Sequence, residues 1–264
     1  MPFSSLSQAE LQSPIYSIGV VPQFETRQMQ VIWKPIISEL EQRTGFKFDL
    51  QGSPNIPEFE KEFISGKFDF AYMNPYHILI AASSQGYIPI LRDHSRQLNG
   101  VLVVRKDSGI KDVKQLDGKV LAFPSPNALG ASLLMRADLF DKFHIQIQPR
   151  YVKTHDSVYL NVVLGQASAG GGVSKSLNQQ PTQIYDALRI IYKTQGIAPH
   201  PFTVHPRVAK SVRQEVYKAF IAMGKSETAK AKLAKIPIMQ LGPAQLTDYQ
   251  SLANMKLERF YNLE

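Results

Sequence analysis

KVLAFPSPNALGASLLMRADLF, residues 119–140, is the stretch whose reading decides the fold. An apolar run, Val120 to Phe123, stops at Pro124-Ser125-Pro126-Asn127. Leu129, Leu133 and Leu134 then fall on one helical face. The pattern predicts a strand, a tight loop and a helix, with Ser125 or Asn127 as the cap. The first N–H groups of such a helix have no intrahelical acceptor and carry the positive end of its dipole, so the turn suits an anion. An ordinary capped strand-to-helix connection has the same pattern.

The alternation extends in both directions. Toward the N-terminus, IYSIGVV (15–21) reads as a first strand, followed by a helix over about 27–43 with Val31, Ile32, Ile36, Ile37 and Leu40 at helical spacing. Strands at 46–50 and 68–73 alternate with helical segments at 57–65 and 76–82, and strands at 88–91 and 101–104 follow. Beyond residue 119 the pattern repeats, with a helix at 128–139, a strand at 146–152, a helix at 157–164, and strands at 167–169 and 188–192. Residues 206–264 read as helical, broken at Leu241-Gly242-Pro243 and restarting at Thr247 in a helix that reaches Tyr261. Two α/β units in tandem, with mostly parallel sheets, are the expectation.

Composition excludes several classes. At 264 residues, 44% hydrophobic and 20% charged, the chain has ordinary globular character. No apolar run approaches a membrane span. The absence of cysteine excludes disulfides, thiolate metal sites and cysteine nucleophiles. The net charge of +8 is dispersed, and without an RNA-binding aromatic motif, zinc finger or basic arm it predicts no nucleic-acid partner. Residues 1–14 have neither a basic n-region nor an apolar h-region and read as a leader remnant.

Four motifs carry candidate chemistry. Residues 69–77, DFAYMNPYH, end a strand in a polar aromatic turn, which places Tyr72 and Asn74 where open sheets bind ligands. The 125–132 turn is the second. Lys153-Thr154-His155-Asp156 is the third, with His155 at a helix start and Asp156 as a candidate cap. Gly170-Gly171-Gly172, before Val173-Ser174-Lys175, reads either as a close backbone approach to a ligand or as a bend. No GxxxxGK[ST], GxSxG or HExxH occurs, and the six histidines lack metal-ligand spacing. Neither cofactor nor metal is expected.

These motifs, in their order, resemble the phosphonate/phosphite-binding protein family of ABC transporters. The resemblance runs over about 15–261 through IGVVPQF, the helix with Trp33-Lys34-Pro35, GKFDFAYMNP, GVLVVRKDSGI, KDVKQLDGKVLAF, FPSPNALGASLLMR, KTHDSVYLNVVLGQ and IYKTQGIAPHPFTV. It implies an α/β fold of two Rossmann-like lobes with an interlobe cleft, the type II periplasmic-binding-protein architecture. Lobe 1 would comprise 15–98 and 203–264, and lobe 2 would comprise 101–197, with crossings near 98–101 and 197–203.

The resemblance also implies a ligand set: Tyr72, Asn74, Ser125, Asn127, Ala128, Leu129, Gly130, His155 and Lys175. Ala128 and Leu129 replace the hydroxyl residues of the family's loop, and His155 matches its histidine. Ile56 and Leu98 stand where the family often has aromatics. Lys175 and His200 stand near its acids. An ammonium-bearing ligand would lose its counter-charge, so an anion without an amine is expected. The implied function is an extracytoplasmic or periplasmic solute-binding protein, monomeric, serving an ABC-transporter permease or a sensor protein. The alternatives are an enzyme on the same fold, resembling pyrimidine-precursor synthesis proteins, and the ligand-binding domain of a signalling protein.

Overall fold

The computed structural model describes residues 14–23, 26–236 and 238–262. The expected leader remnant, apart from Pro14, lies outside the described residues. The chain begins with β1 (Ile15–Val20), α1 (Thr26–Thr44), β2 (Lys47–Gly52), α2 (Ile56–Ile64), β3 (Phe70–Tyr72), α3 (Pro75–Gln85) and β4 (Ile88–Asp93). It crosses into β5 (Gly100–Arg105), β6 (Val120–Phe123), α4 (Leu134–Asp141), β7 (Gln148–Tyr151), α5 (His155–Val163) and β8 (Ala169–Val173). Next come α6 (Ser174–Asn178), α7 (Thr182–Ala187) and β9 (Leu188–Lys193). The chain then returns through β10 (Phe202–Val204), α8 (Lys210–Lys225), α9 (Glu227–Leu233), β11 (Leu241–Pro243) and α10 (Gln250–Ala253).

Two sheets result among the described residues, in the strand orders β11-β4-β10-β3-β1-β2 and β7-β6-β8-β5-β9. Both are mixed, where mostly parallel sheets are expected. β1, β2 and β3 are parallel, but the returning β10 inserts antiparallel between β3 and β4. In the second sheet β6, β7 and β8 are parallel, and β5 runs antiparallel to β8 and β9. A strand entered directly from a crossing takes the direction of that crossing, without a helical return to reverse it. The crossings lie side by side, joined by Leu98 and Ile197 through paired backbone hydrogen bonds of 2.9 and 3.1 Å.

The first sheet buries Trp33, Ile36 and Leu40 of α1 with Phe59, Phe70, Phe202 and Phe220. Val31, placed on the inner face by spacing, is 62% exposed, because the stripe through Ile32, Trp33 and Ile36 is the one that meets the sheet. A second core gathers Leu102, Leu121, Phe123 and Met135 under the other sheet. A third cluster knits the lobes beside the crossings, with Tyr76, Leu98, Leu129, Leu133, Ile197 and Leu257.

Three further sequence expectations change. The glycine run is neither a bend nor a backbone approach to a ligand but the interior strand β8, whose three glycines do not line the cleft between the sheets. A Cβ on Gly171 would stand 2.0 Å from the Ala131 carbonyl oxygen, so glycine lets the helix after β6 lie against the sheet. Leu241-Gly242-Pro243 is an edge strand, where proline is tolerated. The helix expected from Thr247 to Tyr261 is broken into a 3₁₀ turn (Leu246–Tyr249), α10 and a second 3₁₀ turn (Leu257–Arg259). Lys256, at φ 50°, stops the helix.

Candidate functional site: an interlobe cleft

A cleft of about 500 Å³ opens between the two sheets. Its walls are strand ends and helix starts. On one side β3 ends at Tyr72 and α3 begins after Asn74. On the other, β6 runs into Pro124 and Ala128 to Ala131, while Lys153, His155 and residues 173–176 complete the wall. The crossings supply Arg96, Leu98, Asn99 and His200.

The turn after β6 does not form as expected. Ala128 is the N-terminal residue, without a side-chain cap, and Leu129–Leu133 form a π turn before α4. Ser132 and Leu133 both donate to the Ala128 carbonyl, at 2.7 and 3.1 Å. The wide turn leaves its first N–H groups without an intrahelical acceptor. Neither Ser125 nor Asn127 caps it or lines the cleft. The Ser125 Oγ is enclosed without a partner, and the Asn127 side chain turns back to Glu60 and Asn262.

Of the other expected residues, Tyr72, Asn74, Ala128, Leu129, Gly130, His155 and Lys175 line the cleft. Tyr72 lies between Trp33, at 5.1 Å between ring centroids, and a stacked His200 at 5.4 Å. Its hydroxyl reaches the Ile236 carbonyl at 3.4 Å, and burial holds its pKa well above the ordinary value. The side-chain oxygen of Asn74 caps α3 by accepting from the N–H groups of Tyr76 and His77, each at 2.9 Å. Lys175 donates across the cleft to the Lys235 carbonyl at 3.0 Å. Burial, then the nearby Arg96 charge, push its pKa down to about 8.

His155 follows the true cap of α5, which is Thr154 and not Asp156; Thr154 Oγ1 accepts from the Ser157 N–H at 3.1 Å. The Nδ1 of His155 is enclosed without a partner, and burial pushes the ring's pKa down to about 4 despite Asp156. His200 is pushed further, to about 3, by burial first and then by Arg96. Its Nε2 lies 2.7 Å from the Gln23 amide nitrogen, and an amide can only donate there, so this ring nitrogen is an acceptor.

Sequence reasoning leaves Gln23, Arg96, Lys153 and Met239 out of the site, though all line the cleft. Gln23 and Lys153 belong to the stretches IGVVPQF and Lys153-Thr154-His155-Asp156, in which neither is singled out, and the crossing that carries Arg96 has no chemical signature. Lys153 has one retrospective signal. It adopts φ 74° directly before the Thr154 cap, a conformation rare for a residue with a side chain. Ile56 and Leu98, at the family's aromatic positions, also face the cleft. Arg96, Lys153 and Lys175 line it, and no carboxylate does among the described residues. Arg96 is ion-paired with the buried Asp93 at 3.2 Å, so the positive charge that favours an anion in the cleft comes mainly from Lys153 and Lys175.

Comparison with known proteins agrees with this geometry. Residues 18–249 match the family model described as ABC transporter, phosphonate, periplasmic substrate-binding protein. The phosphonates-binding periplasmic protein of Escherichia coli (strain K12) is 23% identical, over 96% of this chain and 80% of its own. A binding protein component of an ABC phosphonate transporter from Pseudomonas aeruginosa superposes with TM-score 0.84 at 14% identity, covering 94% of this chain and 88% of that one. A Prochlorococcus marinus protein solved in complex with methylphosphonate gives 0.83 at 14% identity, covering 93% and 98%. The architecture is that of the type II periplasmic-binding proteins, and the chain belongs to the phosphonate periplasmic substrate-binding protein family of ABC transporters.

Proposed function

We propose that this protein captures a small anion without an amine, a phosphonate-like or other oxyanion or a carboxylate, and delivers it outside the cytoplasm to the membrane components of an ABC transporter. The observation that carries the reading is the charge of the cleft: Lys153 and Lys175 line it together with Arg96, which pairs with Asp93 behind the wall, and no carboxylate is among the described lining residues. The uncapped helix start at Ala128 offers N–H groups to the anion, and the neutral His155 ring adds a donor when its proton sits on the nitrogen facing the ligand. Ile56, Leu98, Leu129 and Met239 suit an apolar substituent. His155 and Lys175 are read as binding groups and not as catalysts.

Residues 15–98 with 203–264, and 101–197, would act as the two bodies that close on the ligand about the paired crossings. The protein would work as a monomer. Native mass spectrometry, followed by calorimetry against methylphosphonate, phosphite, phosphate, acetate and 2-aminoethylphosphonate, tests the reading. At least one amine-free anion should bind tenfold or more tighter than 2-aminoethylphosphonate, about 1.4 kcal/mol. Submicromolar binding of the aminophosphonate would overturn it. His155→Ala should cost about 1.5–3 kcal/mol of affinity if the ring donates to the bound anion.

A further inference from the structure

Glu60 lies on α2, in the layer of the first sheet, yet it is only 2% exposed. Its two oxygens have separate partners. Oε1 stands 2.8 Å from His77 Nε2, and Oε2 accepts from the side-chain amide of Asn127 at 2.7 Å. Asn127 belongs to the loop that precedes the uncapped helix start, on the other lobe. Its side-chain oxygen accepts from the Asn262 N–H at 2.9 Å, its amide also donates to the Asn262 carbonyl, and its own carbonyl accepts from the Asn74 amide at 3.4 Å. All these side-chain partners lie outside the lobe that carries the loop.

A carboxylate withdrawn from water is unfavourable unless its hydrogen bonds are supplied. Apolar side chains of similar volume would fill this place without that cost, but they would not orient the loop. Directional hydrogen bonds do. Asn127 is also the last residue before the helix start, so any rotation of its peptide passes directly into the direction of the Leu129 and Gly130 N–H groups.

We propose that Glu60 is a positioning residue for ligand binding: it touches no ligand, but through Asn127 it sets where the uncapped helix start stands in the cleft and ties that start to the opposite lobe. The proposal rests on the cleft being the ligand site.

The test uses the full chain, with Glu60→Ala, Glu60→Gln, Asn127→Ala and the double alanine variant. Amide hydrogen exchange is read at residues 127–133 without ligand, and methylphosphonate affinity by calorimetry. Glu60→Ala should speed exchange of those amides and weaken methylphosphonate binding, each by about tenfold. Glu60→Gln keeps an oxygen for Asn127 and should bring both within about threefold of the parent. The double variant should bind no worse than Asn127→Ala alone, because both changes remove the same link. Parent-like loop exchange in Glu60→Ala would overturn the proposal. So would faster exchange spread evenly over both sheets without rescue by glutamine, which would mark a role in stability alone. If methylphosphonate fails to bind the parent, that compound alone is excluded as ligand, and the loop exchange alone decides the role of Glu60.

Discussion

The cleft has two turns of the same construction, and they are finished in opposite ways. After β3 the chain reads Tyr72-Met73-Asn74-Pro75. After β6 it reads Pro124-Ser125-Pro126-Asn127-Ala128. Each joins a strand to a helix through proline and asparagine. At the first, Asn74 caps its own helix, so two N–H groups are satisfied from within. At the second, Asn127 looks away to Glu60 and Asn262, and the helix starts uncapped in a wide π turn. A helix start that satisfies itself is a wall. One that does not can be completed by a ligand. The same residue type therefore caps a helix start in one turn and leaves it open in the other.

The largest break in this comparison comes from behind the second turn. Gly171→Ala places a methyl group 2.0 Å from the Ala131 carbonyl oxygen and against the Phe123 ring. The π turn must move off β8, at about 3 kcal/mol of stability. A urea midpoint equal to the parent's would show that the turn is not wedged against the sheet.

Acid probes both walls together, since His200 stacks on Tyr72 and His155 stands by the second turn. Their pKa values are pushed down from 6.5 to about 3 and about 4, mainly by burial. Between those values and 6.5 the unfolded chain binds protons that the folded protein does not. Their contribution is intact above about pH 6.5 and is lost as pH falls, by up to about 1.4 kcal/mol per pH unit for each ring. His200→Gln should flatten the fall in melting temperature between pH 6.5 and 4. An unchanged slope would mean that the ring is not held neutral.

Exchanging the two caps sharpens the comparison directly. Asn74→Ala should cost about 1–2 kcal/mol in denaturant unfolding, since it removes a side-chain cap. Ala128→Asp should stabilise by up to about 1 kcal/mol, because the second helix then gains a cap of its own. The same aspartate would place a charge where the anion is read to bind, and methylphosphonate affinity should fall by at least about tenfold. Unchanged affinity in Ala128→Asp would remove the second turn from the site. The smallest effect is expected of Ser125→Ala, whose Oγ is enclosed without a partner. Its midpoint should stay within about 0.5 kcal/mol of the parent or rise. A loss above 1 kcal/mol, on the scale of a net hydrogen bond, would reveal a partner for that hydroxyl.

Periodicity by itself determined most of the strand and helix succession before β10, the two α/β units and the positions of Tyr72 and of the 124–131 turn at strand ends; the cleft they border was implied by the family resemblance. The periodic features follow from local patterns, because burying one face of a helix or strand writes a period into the chain. Only the tertiary structure decided how the loop residues are used. Ser125 and Asn127 look like caps in sequence, but a buried carboxylate 67 residues away in the chain takes the asparagine. Arg96 carries no local mark, and Lys153 is marked only as a neighbour of His155 in its motif; what puts both in the site is the meeting of two lobes. The glycine run had two open readings, and packing selected a third: Gly171 and Gly172 keep the strand clear of Ala131, Phe123 and Tyr159. Periodicity reports which way a side chain faces, but its partner across a cleft is set by the packing of distant segments, and no local pattern records that choice.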